Sequence, residues 1–146
     1  MARTFRMNAW RRTSNGMIAR LVALGVGPKD MHLLTVSGRT TGLPRTTPVL
    51  VLSRAGARWL VAPYGIVDWV RNARAAGKVT LRKGGREETV AVTEVTPEEA
   101  GPVLQDYVQK VKIVRPYFDA APGAPVEDFA AEAPRHPVFR IGESAT

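Results

Sequence analysis

The stretch Gly38-Arg39-Thr40-Thr41-Gly42-Leu43-Pro44-Arg45 stands between two apolar runs, Met31–Ser37 with Leu33, Leu34 and Val36, and Thr46–Leu52 with Val49, Leu50, Val51 and Leu52. Two short runs separated by two glycines and a proline read as strands joined by a reversal. The glycines supply backbone angles closed to other residues, so the chain can turn and leave backbone N–H groups exposed. Arg39 and Arg45 mark the two strand mouths. A concave turn carrying amide donors, hydroxyls and two guanidinium groups suits a phosphate or carboxylate, although most short loops are only connections.

The rest of the chain repeats the same grammar. Ala55-Gly56 turns the second strand, Arg45–Ser53, into a third, Ala57–Pro63, and Pro48 implies a bulge or an edge. A helix is expected over Asp68–Ala76, with Asp68 as N-cap and Gly77 as the stop. Val79–Lys83, Gly84-Gly85 and Arg86–Val95 form a tight hairpin, since paired glycines favour the primed two-residue turns. Thr96-Pro97-Glu98-Glu99 resembles a capping box opening a helix to about Val111, which Gly101-Pro102 should kink or restart. Arg115–Pro134 should be irregular, with a helical turn near Asp128–Glu132, and Pro137–Ile141 is a closing strand. Six short strands with one helix between the third and fourth imply a mainly β (α+β) chain built as an antiparallel barrel.

Ahead of the strands, Asn8–Leu24 reads as a helix with Trp10, Met17, Ile18, Leu21 and Val22 on one side, ended by Gly25 and Gly27-Pro28. It packs on its own domain or lies as a basic amphipathic element on an anionic membrane. The expected organisation is one domain over 1–146, with a helical segment at 1–28 and the barrel at 31–141.

Composition narrows the chemistry. The 146 residues carry 21 Lys and Arg against 13 Asp and Glu, a formal charge of +8, which predicts an anionic partner: a phosphorylated ligand, nucleic acid or a membrane surface. With no cysteine there is no disulfide, thiolate metal site or thiol nucleophile, and with only His32 and His136 a histidine metal site is not expected. No apolar run is long enough to span a membrane, and Met1-Ala2-Arg3-Thr4 lacks the apolar segment of a secretory signal. A cytoplasmic protein is the default, with association at the inner membrane face as the extension.

Signatures of a phosphate loop, a zinc protease or a serine-hydrolase elbow are absent, so an enzyme of this sequence would lean on a cofactor. Trp69 and Asn72 share one face at the start of a helix, an aromatic surface beside an amide, where first-turn N–H groups favour an anion. The alternative is a core tryptophan and a local hydrogen-bonding asparagine. Tyr64 either borders a ligand cleft or covers the barrel mouth. Tyr117 and Phe118 either wall a pocket or fill the core, and a lone His136 is most simply structural.

The run from Leu33 through Gly38-Arg39-Thr40-Thr41-Gly42-Leu43-Pro44-Arg45 to Pro48, followed by Trp69-x-x-Asn72, resembles the deazaflavin (F420)-dependent nitroreductase family. These are split β-barrel proteins related to the FMN-binding oxidases. The similarity covers about residues 31–95 and, more loosely, His136–Arg140. It implies coenzyme F420, an 8-hydroxy-5-deazaflavin, as cofactor. By that resemblance Arg39, Thr40, Thr41 and Arg45 hold the anionic tail. Thr47, Pro48, Ala62, Pro63, Tyr64 and Gly65 approach the ring, and Trp69 and Asn72 border the cofactor from the helix start. Thr40 stands where many relatives carry lysine, and Ile66-Val67-Asp68 where many carry basic residues, which keeps FMN open as the alternative. The implied reaction is hydride transfer from the reduced deazaflavin to a quinone, an activated alkene or a nitroaromatic compound, with Tyr64 or solvent supplying a proton. The rival readings are a non-catalytic carrier of a flavin-like or lipidic ligand, and a nucleic-acid binder, which the lack of interleaved aromatics disfavours. Either a monomer or a homodimer is compatible with these features.

Overall fold

The computed structural model describes residues 30–144. The helix expected over Asn8–Leu24, and any membrane contact through it, lie outside the described residues. Six strands form: β1 (Met31–Ser37), β2 (Pro44–Arg54), β3 (Ala57–Val61), β4 (Lys78–Lys83), β5 (Arg86–Glu94) and β6 (Val138–Ser144). They close into an antiparallel barrel in the order β1-β2-β3-β6-β5-β4. Helix α1 (Asp68–Ala76) is inserted between β3 and β4, while α2 (Pro97–Lys110), a 3₁₀ turn over Lys112–Tyr117 and α3 (Val126–Glu132) lie between β5 and β6. The expected split-barrel architecture is the one that forms.

Alternation along the strands builds two cores. Leu34, Val36, Val49, Val51, Leu60, Val79, Leu81, Val90, Val92, Phe139 and Ile141 fill the barrel, joined by Val70 and Ala73 of α1. On the outer face, Leu52, Trp59, Val61 and Val138 pack beneath Val103, Leu104, Tyr107 and Val108 of α2 and Phe129 of α3. β3 is therefore apolar on both faces, which is why Trp59-Leu60-Val61 runs without a polar break. Each fully buried side chain of this kind contributes roughly 1.5–3 kcal/mol relative to exposure.

The Gly84-Gly85 hairpin pairs Lys83 with Arg86 as expected. Gly77 ends α1 in the left-handed region, at φ 73°, with its N–H donating to the Ala73 carbonyl at 2.8 Å. Pro48 makes no bulge: β2 pairs with β1 in unbroken register, Leu33 opposite Pro48, and with β3 only from Val51 onward. The Val51 N–H donates to Asp30, on the β1 side. By strand alternation residues 46 and 48 then direct their backbone groups to the other edge, which β3 does not pair at that level. The missing N–H of Pro48 falls there and removes no ladder bond.

Three expectations need correction. Asp68 is not the N-cap: Val67 holds that position in extended geometry with no side-chain cap, and Asp68 is the first helical residue, 82% exposed at its side chain. Its charge still favours the helix start, because the unsatisfied N–H groups there carry partial positive charge. Gly101-Pro102 does not break α2, which is continuous from Pro97 to Lys110 behind a Thr96 cap whose hydroxyl accepts from the Glu99 N–H at 3.3 Å. Gly101 instead admits α3: a Cβ there would lie 3.0 Å from Val126 Cγ1 and 3.2 Å from Ala130 Cβ. Finally, Arg115–Pro134 is less irregular than expected. Arg115 donates from Nε to the Val108 carbonyl at 3.0 Å and from Nη2 to that of Gln109 at 3.0 Å, which fixes the turn after α2.

Candidate active site

The 38–45 turn folds tightly on itself. Gly38 N–H donates to the Leu43 carbonyl and Gly42 N–H to that of Gly38, both at 2.8 Å, and Leu43 N–H donates to Thr41 Oγ1 at 3.2 Å. A Cβ on Gly38 would stand 3.0 Å from Thr41 Oγ1 and 3.2 Å from the Leu43 oxygen, so only glycine fits without displacement. Asn72, buried on α1, ties the turn to the helix: its Oδ1 accepts from the Arg39 N–H at 3.0 Å and from Arg39 Nη1 at 2.9 Å. The expectation of a turn with open amides is thereby narrowed, since four of its N–H groups are engaged. The N–H groups of Gly38, Gly42 and Leu43 are used within the turn, and that of Arg39 is taken by Asn72 on α1. What faces solvent is side chain: Arg39, Thr40, Thr41 and Arg45 are exposed. The Arg39 guanidinium also lies 3.7 Å from Asp68 Oδ1.

Arg45 and Thr47 pair with Val36 and Leu34, and directly opposed residues point to the same side of a sheet, so both lie on the face that fills the barrel. Thr46 is on the outer face, where its hydroxyl meets that of Thr35 at 2.8 Å. β2 and β3 separate after Val51↔Leu60. Had the register continued, Pro48 would face Pro63 and Thr47 would face Tyr64. The β2–β3 ladder thus opens between the two stretches singled out in the sequence, Thr47-Pro48 and Ala62-Pro63-Tyr64-Gly65.

Gly65, at φ 95°, lets the chain leave β3 and enter α1. Trp69 packs against the interior core with its ring centroid 5.8 Å from that of Phe139. Tyr64 meets Tyr117 edge-on, centroids 4.9 Å apart at 80°. Tyr107, buried on α2, is close enough to Tyr64 that the two phenols interact; burial pushes the Tyr107 hydroxyl well above its usual range and Tyr64 adds to that. The three tyrosines of the chain therefore gather at one place from three separate segments. His136 is buried, donating from Nδ1 to the Ala62 carbonyl at 3.3 Å and stacking on Phe118 at 4.0 Å. Burial lowers its basicity, with Arg135 contributing, against the opposing pull of the Ala62 and Pro63 carbonyls and of Glu132. Phe118 is a core residue and Tyr117 a half-buried rim residue, which resolves that pair.

Residues 4–120 match the model of the F420H2-dependent quinone reductase family. The chain belongs to that family. It is an F420H2-dependent reductase, an oxidoreductase by class. Among solved structures it is similar to a domain-swapped dimer (18% identity, 90% of this chain and 96% of the other, TM-score 0.56) and to an F420H2-dependent reductase, FDR-A (21%, 77% and 94%, 0.51). It is also similar to a Clostridium acetobutylicum protein of the pyridoxine-phosphate oxidase family (12%, 78% and 75%, 0.53). At these identities the likeness carries the split-barrel fold. A search of the curated proteins returned no significant match.

For an F420H2-dependent reductase the donor set is apt. The deazaflavin tail is anionic, and the exposed groups of the turn are two guanidinium side chains and two hydroxyls. Asp68 brings a carboxylate to this end, and Arg39 and Arg71 both lie 3.7 Å from it. A separate groove of about 310 Å³, lined by Arg74, Glu94, Pro97 and Pro134 among others, contains none of these residues. Among the described residues no group of three or more His, Asp or Glu is placed to hold a metal ion. Sequence reasoning passed over Glu132, whose buried carboxylate sits four residues before His136, and Tyr107. The i,i+4 spacing of Glu132 and His136 was the available signal.

Proposed function

We propose that this reductase passes two electrons from reduced F420 to a quinone, within the opening between residues 46–50 and 62–65. The observation that supports it most is that opening, with exposed guanidinium groups at one end and clustered phenols at the other. Arg39, Thr40, Thr41 and Arg45 would hold the charged tail of F420, Arg39 from a backbone already fixed by Asn72. Thr47, Pro48, Ala62, Pro63, Tyr64 and Gly65 would flank the ring, with Trp69 as floor. Asn72 acts through Arg39. When bound, the reduced deazaflavin supplies a hydride equivalent, and a quinone needs a proton besides. The Tyr64 phenol, half-buried, would donate that proton and be reprotonated from solvent. Pre-positioned walls align two reactants and keep water from between them, which is where the protein lowers the barrier.

The charge of the chain is unevenly distributed. Six of the 21 Lys and Arg, and none of the 13 Asp and Glu, precede Asp30. The excess therefore belongs mostly to residues 1–29, and the barrel itself is not a basic nucleic-acid surface. Among the described residues no helix is long and apolar enough to cross a membrane.

The test is steady-state oxidation of F420H2, followed by recovery of F420 absorbance, with a quinone, an activated alkene and a nitroaromatic compound in turn. The quinone should give the largest kcat/KM. Preference for either other acceptor would overturn the assignment while leaving the reductase class intact.

A further inference from the structure

Glu132 is the last residue of α3 and is 3% exposed. Its carboxylate points into the chain that follows the 3₁₀ turn: Oε1 accepts from the Asp119 N–H at 2.9 Å and Oε2 from the Ala120 N–H at 2.7 Å. Arg135 Nη2 lies 3.5 Å and His136 Nε2 3.6 Å from Oε1. A carboxylate removed from water is costly unless its lone pairs are met. Here two backbone N–H groups and the Arg135 guanidinium meet them, while the neutral His136, its proton on Nδ1, is held by Ala62 and Phe118 instead; an apolar residue would have filled the same volume without that cost. What the carboxylate adds is direction, because it fixes two consecutive backbone N–H groups far away in sequence.

His136 continues the arrangement. Its ring lies nearly parallel to Phe118, at 17°, and its Nδ1–H is bonded to Ala62, two residues before Tyr64. Asp119 is further held by Arg135 at 2.9 Å. The segment carrying Tyr117 is thus fastened at Phe118, Asp119 and Ala120, and the same imidazole reaches the segment carrying Tyr64.

We propose that Glu132 and His136 are positioning residues for the electron acceptor: together they latch the 117–120 segment to the 62–65 segment and so set the Tyr64–Tyr117 wall against which the acceptor lies. The inference rests on reading the 62–65 rim as part of the active cleft. It makes acceptor choice depend on two buried residues that touch neither acceptor nor cofactor.

The test uses the full-length protein and its Glu132→Gln variant, with F420H2, menadione and a quinone bearing a long isoprenoid chain. Glutamine keeps the volume but offers one acceptor oxygen to two N–H donors. The ratio of kcat/KM for the two quinones should shift by at least about fivefold, a fraction of what a misplacement of ~1 Å can cost, with the F420 dissociation constant within about twofold of wild type. That ratio is independent of how much enzyme is folded, so a merely structural role cannot move it. An unchanged ratio overturns the proposal. Should Glu132→Gln fail to fold, Phe118→Leu, which removes the stacking and leaves the carboxylate satisfied, must shift the ratio instead. If wild type oxidises F420H2 with neither quinone, the cofactor reading is what has failed. Near-ultraviolet circular dichroism then decides the latch: Glu132→Gln should change the tyrosine bands with the far-ultraviolet spectrum intact, and unchanged bands would overturn it.

Discussion

Asn72 and Arg39 are joined twice, since one amide oxygen accepts both the backbone N–H and the guanidinium of the same arginine, 33 residues away in sequence. The pairing makes α1 the reference frame for the turn. It also changes what Asn72 is for: a buried amide with its oxygen so engaged fixes the shape of the turn, and in the proposed site it would act on the ligand through Arg39.

Asn72→Ala should therefore have two separable effects. It leaves the Arg39 N–H without its acceptor, which costs about 1–3 kcal/mol, read as a lower denaturant midpoint. It should also weaken F420 binding by roughly tenfold through a loosened Arg39, an energy of about 1.4 kcal/mol. Loss of stability with unchanged affinity would remove Asn72 from the site altogether.

Arg39 and Arg45 should behave differently as single variants. Arg39 is part of the fold through Asn72, whereas Arg45 is an exposed residue on the barrel-facing side of β2. Each charge-assisted contact to an anionic tail is worth about 1.5–3 kcal/mol, so both alanine variants should weaken F420 binding about 10- to 100-fold. Only Arg39→Ala should also lower the melting temperature.

His136 gives the stability a dependence on pH. Burial keeps the folded-state imidazole below its ordinary value of 6.5, so the unfolded chain binds more protons in the interval between the two values. Stability then rises with pH through that interval, falls as the solution is acidified below about 6.5, and levels off below the folded-state value. Chemical denaturation at pH 7.5, 6.5 and 5.5 should show this slope, and His136→Gln should reduce it.

Much of this was legible in the chain. Glycines at 42, 56, 77 and 84 mark sites that adopt positive φ, and each strand and helix falls within a few residues of its pattern. The turn, α1 and the 62–65 stretch were all singled out as candidates. Their relation was not, because it depends on β2 pairing with β1 through Pro44–Leu50 and with β3 only beyond that, a choice made between distant segments. Gly101 shows the same limit. Local propensity reads a glycine before a proline as a break, but here its value lies in what packs against it. Glu132 was missed for a third reason: beyond its i,i+4 spacing to His136, its partners are backbone N–H groups, which no residue type announces.

The Gly101 reading is testable by itself. Gly101→Val places a branched side chain against Val126 and Ala130, and such overpacking costs about 1–3 kcal/mol. A neutral result in thermal unfolding would show that α3 can move away without loss. Binding of F420 should be untouched, since α3 takes no part in holding the tail.

The central claim is that side chains of the 38–45 turn hold the charged tail of F420, with acceptor choice decided elsewhere. Titration of F420 fluorescence with purified wild type and the Arg39→Ala/Arg45→Ala double variant tests it most directly. Wild type should quench the fluorescence at roughly micromolar concentration and the double variant should lose at least about 2.7 kcal/mol, a hundredfold in affinity. Equal quenching by both proteins, or none by wild type, would contradict the account.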